Sequence, residues 1–417
     1  MPRTLDNAET TLNVTNLLPL AHRYDCPVWV YDADIIKSRI AQLQQFDVIR
    51  FAQKACSNIH ILRLMRQSGV KVDSVSLGEI ERALVAGFQP GGDEIVFTAD
   101  VFDTATLARV AELAIPVNAG SIDMLHQLGH VSPGHRVWLR VNPGFGHGHS
   151  QKTNTGGENS KHGIWYSELP QALETLQRYG LQLAGIHMHI GSGVDYAHLE
   201  QVCDAMVNQV INAGHDLQAI SAGGGLSIPY HFGEEAIDTA HYYGLWNAAR
   251  ERIAAHLGHP VKLEIEPGRF LVAESGVLIS QVRAVKTMGT RHFVLVDAGF
   301  NDLMRPAMYG SYHHISVISG DGRQIDSQQT IDSVVAGPLC ESGDVFTQQE
   351  GGKVETRTLP ITQVGDYLVF HDTGAYGASM SSNYNSRPLL PEVLFEEGKP
   401  REIRRRQTIA ELLALEE

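Results

Sequence analysis

The sequence predicts a closed α/β barrel of the (β/α)8 TIM type, followed by a separate all-β domain. Three observations carry this reading. Between residues 48 and 266, eight short apolar runs alternate with stretches of helical periodicity. Polar, chemistry-bearing residues follow several of the runs, as expected where the strand ends of a barrel converge on one face. After Gly276 the alternation stops, and strand-like runs succeed one another with little helix between them. An open doubly wound sheet would also alternate, but eight units favour closure.

Taken in order, Tyr24–Ile36, with CPVWVYD inside, reads as a strand running into a helix. The eight expected barrel strands are Val48–Lys54, Val70–Ser76, Glu94–Thr98, Ile115–Ala119, Arg136–Asn142, Leu183–Ile190, Leu217–Ala222 and Val261–Glu266. Helical periodicity marks Ile59–Gln67, Leu77–Ala86, Gln171–Tyr179 and Tyr243–Leu257. Further strands are expected at Val277–Val285, Arg291–Asp297, His314–Ile318, Thr330–Ala336, Tyr367–Asp372 and Glu392–Phe395. The barrel domain is therefore expected over residues 37–276. Residues 1–36 and 277–417 would form a sandwich- or barrel-like β-domain, with the strand near Val28–Tyr31 joining it. One connection, Pro143–His162 (PGFGHGHSQKTNTGGENSKH), is too long for an ordinary βα loop and reads as a lid. Its His147 and His149 lack a Cys or Asp cluster nearby, which makes a weak metal site.

Composition narrows the function. The chain has 417 residues, 43% hydrophobic and 19% charged, with 40 glycines, which suits a soluble protein with a sizeable core. A net charge of −14 without a basic stripe argues against a nucleic-acid partner. The Arg404-Arg405-Arg406 cluster is expected to be a solvated face. No apolar run reaches the roughly 18 residues of a membrane span, and the polar Met1–Asn13 does not resemble a signal peptide. Four scattered cysteines without CxxC spacing suit a reducing cytoplasm.

Several stretches carry chemistry. Lys54 lies at the tip of the first expected strand. Gly223-Gly224-Gly225 follows the seventh; consecutive glycines let backbone N–H groups approach a phosphate, although a plain turn would look the same. Glu264 and Glu266 alternate onto one side of the eighth strand, with Arg269 beyond for a phosphate or carboxylate. His187 and His189 end the sixth strand before Ser192. They read as a core pair, a metal-binding HxH, or an imidazole set against a planar ligand. In the β-domain, Cys340 and Glu341 are adjacent in a turn; an acid beside a thiol makes a poor nucleophile and suits proton donation. Tyr376 offers a phenol amid small residues, and Asn383–Pro388 is a polar turn without an assigned role. A lysine, a phosphate cradle, an acid for a ring nitrogen and an imidazole are jointly what pyridoxal 5'-phosphate asks for.

The segments FAQKACSN, DSVSLGEIERAL, HMHIGSG, AGGGLSIPY, EIEPGRFLV, VDAGFNDLMRPAMYGSYH, GPLCESGD and GAYGASMSSNYNSRP resemble, in order, those of the barrel-type (fold type III) pyridoxal-phosphate decarboxylases. Within them they resemble the diaminopimelate decarboxylase family. The resemblance implies a cytoplasmic homodimer with active sites shared between subunits, acting on an amino acid. It implies Lys54 as the cofactor lysine, with Asp73, His189, Ser192, Gly223, Gly224, Gly225, Glu266, Gly268, Arg269 and Tyr376 around the cofactor. Substrate contacts would come from Arg269, Arg305, Tyr309, Glu341 and Tyr376, with Cys340 the proton donor from the partner subunit. No metal is implied.

The rivals differ at named positions. Racemases of this fold place an arginine where Glu266 stands. Ornithine and arginine decarboxylases act on substrates without the second carboxylate that Arg305 and Tyr309 would meet. A metal-dependent barrel hydrolase would use His187 and His189, and a non-catalytic relative would be expected to lack Lys54 or Cys340.

Overall fold

The computed structural model describes residues 5, 10–25, 27–146, 155–189, 191, 193 and 195–417. The chain divides into two compact units. One comprises Arg39–Ser227 and Ala236–Phe270; the other comprises Met1–Ser38, Ile228–Glu235 and Leu271–Glu417.

The first unit is the barrel. Its strands are β1 (Val48–Ala52), β2 (Lys71–Ser74), β3 (Ile95–Ala99), β4 (Val117–Ala119), β5 (Arg136–Asn142), β6 (Gln182–His187), β7 (Ala219–Ser221) and β8 (Lys262–Ile265). Each pairs in parallel with the next, and β8 pairs in parallel with β1, so the ring closes. Six of the helices between the strands begin where a side chain caps the free N–H groups of the first turn. Asn58, Ser76, Asp103, Ser121, Asp195 and Asp238 play this part. At Ser76 the cap is supported in return, because Glu79 accepts the Val75 N–H at 2.9 Å.

The strands are mostly shorter than the apolar runs suggest. β1 stops at Ala52, and Gln53–Ala55 forms a 3-10 turn. The buried Gln53 side chain causes this. It donates to Ser74 Oγ at 2.6 Å and to the Glu79 carbonyl at 3.1 Å, which pulls the chain out of the ladder. Lys54 thus occupies the turn beyond the strand, with its side chain exposed.

The barrel is not purely apolar. Arg50 of β1 and Glu264 of β8 are both buried, with Nη2 and Oε2 2.9 Å apart, and Arg50 also donates to the Asp93 carbonyl at 3.0 Å. Two buried charges must satisfy one another, because neither has water to fall back on.

The second unit is built on a nine-stranded mixed sheet. Its path runs Arg357–Pro360, Thr330–Ala336, Arg291–Val296, Gly276–Met288, Val28–Asp32, Glu392–Glu396, Lys399–Arg404. The N-terminal strand Val28–Asp32 lies antiparallel to Gly276–Met288 and parallel to Glu392–Glu396. Arg357–Pro360 and Lys399–Arg404 are strands that the sequence does not announce, being polar and short. The arginine cluster also differs from the expected solvated face. Arg404 pairs at 3.1 Å with the buried Glu392 and donates to the Leu390 carbonyl. Arg406 donates to the carbonyls of Tyr24 (3.1 Å) and Pro27 (2.9 Å). Only Arg405, paired with Glu411 at 2.7 Å, stays on an exposed surface. Among the described residues no helix is long and apolar enough to cross a membrane.

Buried charge sets two expectations about stability. Arg50→Ala strands Glu264 and should lower unfolding free energy by about 3–5 kcal/mol, whereas Arg50→Met with Glu264→Leu should cost less. Urea unfolding of both variants checks this; a harmless single substitution would contradict it. The second concerns Asp302, whose carboxyl is pushed up to about 7 by burial, against the Gly299 N–H and the charges of Arg387 and Arg406. Its proton favours the folded state, so that contribution is complete below the ordinary aspartate value of about 4. It is lost as the pH rises through about 7. Asp302→Asn should therefore gain stability relative to the parent protein between about pH 5 and pH 8, measured as melting temperature. An unchanged difference would refute it.

Candidate active site

The C-terminal ends of the barrel strands carry the site. Lys54 follows β1, Asp73 lies on β2, His187 ends β6, Gly223–Gly225 follow β7 and Glu266 follows β8. These groups feel one another. Burial, then the Glu266 charge, pushes the Asp73 carboxyl well above its ordinary value, against a hydrogen bond from Thr98 and the attraction of Lys54. The same Lys54 charge acts on Glu79 and His189. The lysine and its acids therefore share one rim.

Glu266 is the best-supported group there. Its Oε2 accepts from His187 Nε2 at 2.7 Å, and its Oε1 accepts from Ser221 Oγ at 3.3 Å. Burial raises its carboxyl, but His187, Arg50 and Arg140 outweigh burial and leave it below the ordinary value. It is ionised at neutral pH. His189 has the opposite character. Burial, followed by the charges of Arg140 and Lys54, pushes its imidazole well below the ordinary histidine range. Its Nδ1 accepts the Gly224 N–H at 3.2 Å, so the neutral ring carries its proton on Nε2. The HxH pair is thus engaged within the protein, one ring on Glu266 and the other on Gly224. Among the described residues no group of three or more His, Cys, Asp or Glu could hold a metal.

The glycine run has no room for side chains. A Cβ would lie 2.4 Å from the Met188 carbonyl at Gly223, 2.6 Å from that of Glu266 at Gly224, and 2.3 Å from that of Gly191 at Gly225. Gly223 and Gly225 also have φ of +62° and +100°, which side chains disfavour. The expected Ser192 lies outside the described residues, as do His147 and His149 of the lid. The two described flanks of that long loop meet on Asn142, whose Oδ1 accepts the Gly144 N–H at 3.1 Å and the Gly157 N–H at 2.9 Å. Gly268 is buried, and Arg269 opens the short helix Arg269–Val272.

The second unit holds the other expected residues. Arg305 begins the helix Arg305–Tyr309 and is buried, with Nη1 3.0 Å from His313 Nε2 and its guanidinium over the Tyr230 ring. Cys340 and Glu341 are exposed in their turn. Tyr376 is half-buried with a left-handed φ of +56°.

Sequence reasoning missed Arg140 and the pair Asp100–His162. Arg140 lies buried on β5 and acts on Glu266 and Asp73; a lone arginine within RVWLRVN was its signal. Asp100 Oδ2 is 2.6 Å from His162 Nδ1, and its Oδ1 accepts the Gly163 N–H, which fixes the end of the long loop after β5 to the end of β3.

The rim fits pyridoxal phosphate on its own evidence. The glycine run is a cradle closed to side chains, an ionised carboxylate is available for a ring N–H, and a neutral imidazole is available for a ring face. The buried Asp73 Oδ1 has no hydrogen-bond partner among the described residues, which leaves it open to a polar group of an incoming ligand. Gly224→Ala tests the cradle. The added methyl meets the Glu266 carbonyl, so cofactor affinity should fall at least about tenfold, the effect of roughly 1.4 kcal/mol. Titration of the apoprotein followed by visible absorbance measures it; unchanged affinity would count against the cradle.

Comparison with known proteins agrees with this chemistry. The family description "Pyridoxal-dependent decarboxylase, pyridoxal binding domain" matches residues 33–273. The chain is 78% identical, over the full length of both, to diaminopimelate decarboxylase of Escherichia coli strain K12. It is 64% identical to that of Streptomyces coelicolor, over 97% of this chain and 92% of the relative. A crystal structure of a diaminopimelate decarboxylase superposes with a TM-score of 0.98 at 78% identity, covering 100% of this chain and 99% of the other. The diaminopimelate decarboxylase of Helicobacter pylori complexed with L-lysine gives 0.83 at 32% identity, covering 96% of this chain and 99% of the other. With such agreement along its whole length, the chain belongs to the diaminopimelate decarboxylase family of pyridoxal-dependent decarboxylases.

Proposed function

We propose that this chain decarboxylates meso-2,6-diaminopimelate to L-lysine and CO2, the closing reaction of lysine synthesis. The cofactor is pyridoxal phosphate. The observation that carries the chemistry is Glu266, a carboxylate kept ionised at the rim by His187. Bound there, the cofactor supplies an electron sink for the pair left behind when CO2 departs.

The chain's own groups do the rest. Lys54 is the amine that would hold the cofactor and give way to the substrate amine. Glu266 would accept a ring N–H and so keep the ring nitrogen positive, which an arginine there would not do. His189, uncharged, would lie against a ring face. Gly223–Gly225, with Ser192 and Tyr376, would hold phosphate, and Asp73 and Gly268 would lie beside the cofactor. Arg305 and Tyr309, with Arg269, hold substrate carboxylates. Cys340 of a second copy delivers a proton to the α-carbon, and Glu341 beside it reads the distal ammonium. The exposure of both residues in the single chain supports their serving another copy. The working form is thus a cytoplasmic homodimer with shared sites. Free thiols at Cys56, Cys203 and Cys340 suit that reducing compartment.

A CO2-release assay with meso-diaminopimelate, ornithine, arginine and lysine tests the substrate. Release from the first alone is expected; activity confined to one of the other three would refute the reading. Cys340→Ala should lower kcat by about 10²–10⁴, the usual worth of a positioned proton donor, and leave KM within a few fold. Unchanged kcat would remove Cys340 from the reaction.

A further inference from the structure

The polar turn Asn383–Pro388, without a role in the reading so far, touches the turn that carries Cys340. Asn385 Oδ1 accepts the Cys340 backbone N–H at 2.9 Å, across 45 residues of sequence. It does so from an unusual backbone: Asn385 (φ +54°, ψ +28°) and the adjacent Ser386 (φ +55°) are both left-handed without being glycine. Such conformations cost free energy and persist only where their surroundings impose them. Here the surroundings are visible. Asn383 Nδ2 donates to the Arg387 carbonyl (2.9 Å) and to Gln407 Oε1 (2.7 Å), and Arg387 Nη2 donates to the Asp297 carbonyl (2.7 Å). The Tyr384 ring stacks on Phe300, with centroids 5.5 Å apart and planes 20° apart.

The circuit then closes on the cysteine turn. The Phe300 N–H donates to Asp344 Oδ1 at 2.8 Å, and Asp344 Oδ2 accepts the Leu339 N–H at 2.8 Å. A Cβ on Gly337 would lie 2.3 Å from that Oδ2, so the turn closes tightly on Asp344. The N–H groups of Leu339 and Cys340 are thereby fixed by Asp344 and by Asn385. Together they set the direction in which the Cys340 Cα–Cβ bond leaves the turn.

We infer that Asn385 is a positioning residue for Cys340: its side-chain oxygen, presented from a left-handed backbone, orients the thiol for proton delivery. This rests on Cys340 being the proton donor of the proposed reaction. Two substitutions separate the hydrogen bond from the backbone. Asn385→Gly adopts the left-handed conformation freely but has no acceptor; Asn385→Asp keeps an acceptor and tolerates that conformation.

The test measures kcat and KM of each holoenzyme on meso-diaminopimelate, beside Cys340→Ala, and follows deuterium exchange of the Cys340 amide. Asn385→Gly should lower kcat roughly tenfold, the worth of one hydrogen bond, with KM within about twofold and faster exchange at Cys340. Asn385→Asp should restore both readouts to near the parent values. Parental kcat in Asn385→Gly, with Cys340→Ala impaired, would overturn the positioning role and leave the reaction standing. A fall in kcat without faster exchange at Cys340 would also overturn it. Full activity of Cys340→Ala would instead overturn the reading beneath it.

Discussion

Closure of the parallel ring, β4 on β5 and β8 on β1, is the constraint from which the site follows. A closed ring leaves no edge, so all eight strands end on one rim. The segments that carry Lys54 and Glu266, far apart in sequence, meet across the β1–β8 pair, where the Ala52 N–H donates to the Pro267 carbonyl at 3.2 Å. Within the ring the buried Arg50–Glu264 pair anchors the same two strands. The ionic interior and the chemical rim are two levels of one construction.

On the rim, environment sorts similar groups into different protonation states. Glu266 is held ionised by His187 and two arginines, whereas burial drives Asp73 toward its protonated form. His189 loses its charge to burial, to Arg140, which also favours the ionised Glu266, and to Lys54. An ionised carboxylate and an uncharged imidazole thus arise from a single cluster of charges. Arg140 acts on all three, so the electrostatic pattern depends on a residue that contacts neither ring nitrogen nor phosphate in the proposed reaction.

Much of this was legible in the sequence, for identifiable reasons. Apolar runs of period two or fully buried runs locate strands, so all eight barrel strands were found, and Arg136–Asn142 to the residue. Glycines clustered after a strand and an acid after another are local signals. What stayed hidden depends on partners distant in sequence. The turn at Gln53 needs Ser74 and Glu79; the burial of Arg404 needs Glu392; the clamp on Cys340 needs Asn385. Charge patterning describes one stretch at a time and does not report a partner in another element.

The central claim is that the Lys54 set of one chain and the Cys340 set of another form one site. Mixing inactive Lys54→Ala and Cys340→Ala chains, with subunit exchange, tests it most directly. Random pairing makes roughly half the dimers hybrids, each with one intact site of two, so about a quarter of parental activity should return. Hybrid dimers that form and remain inactive would contradict a shared site.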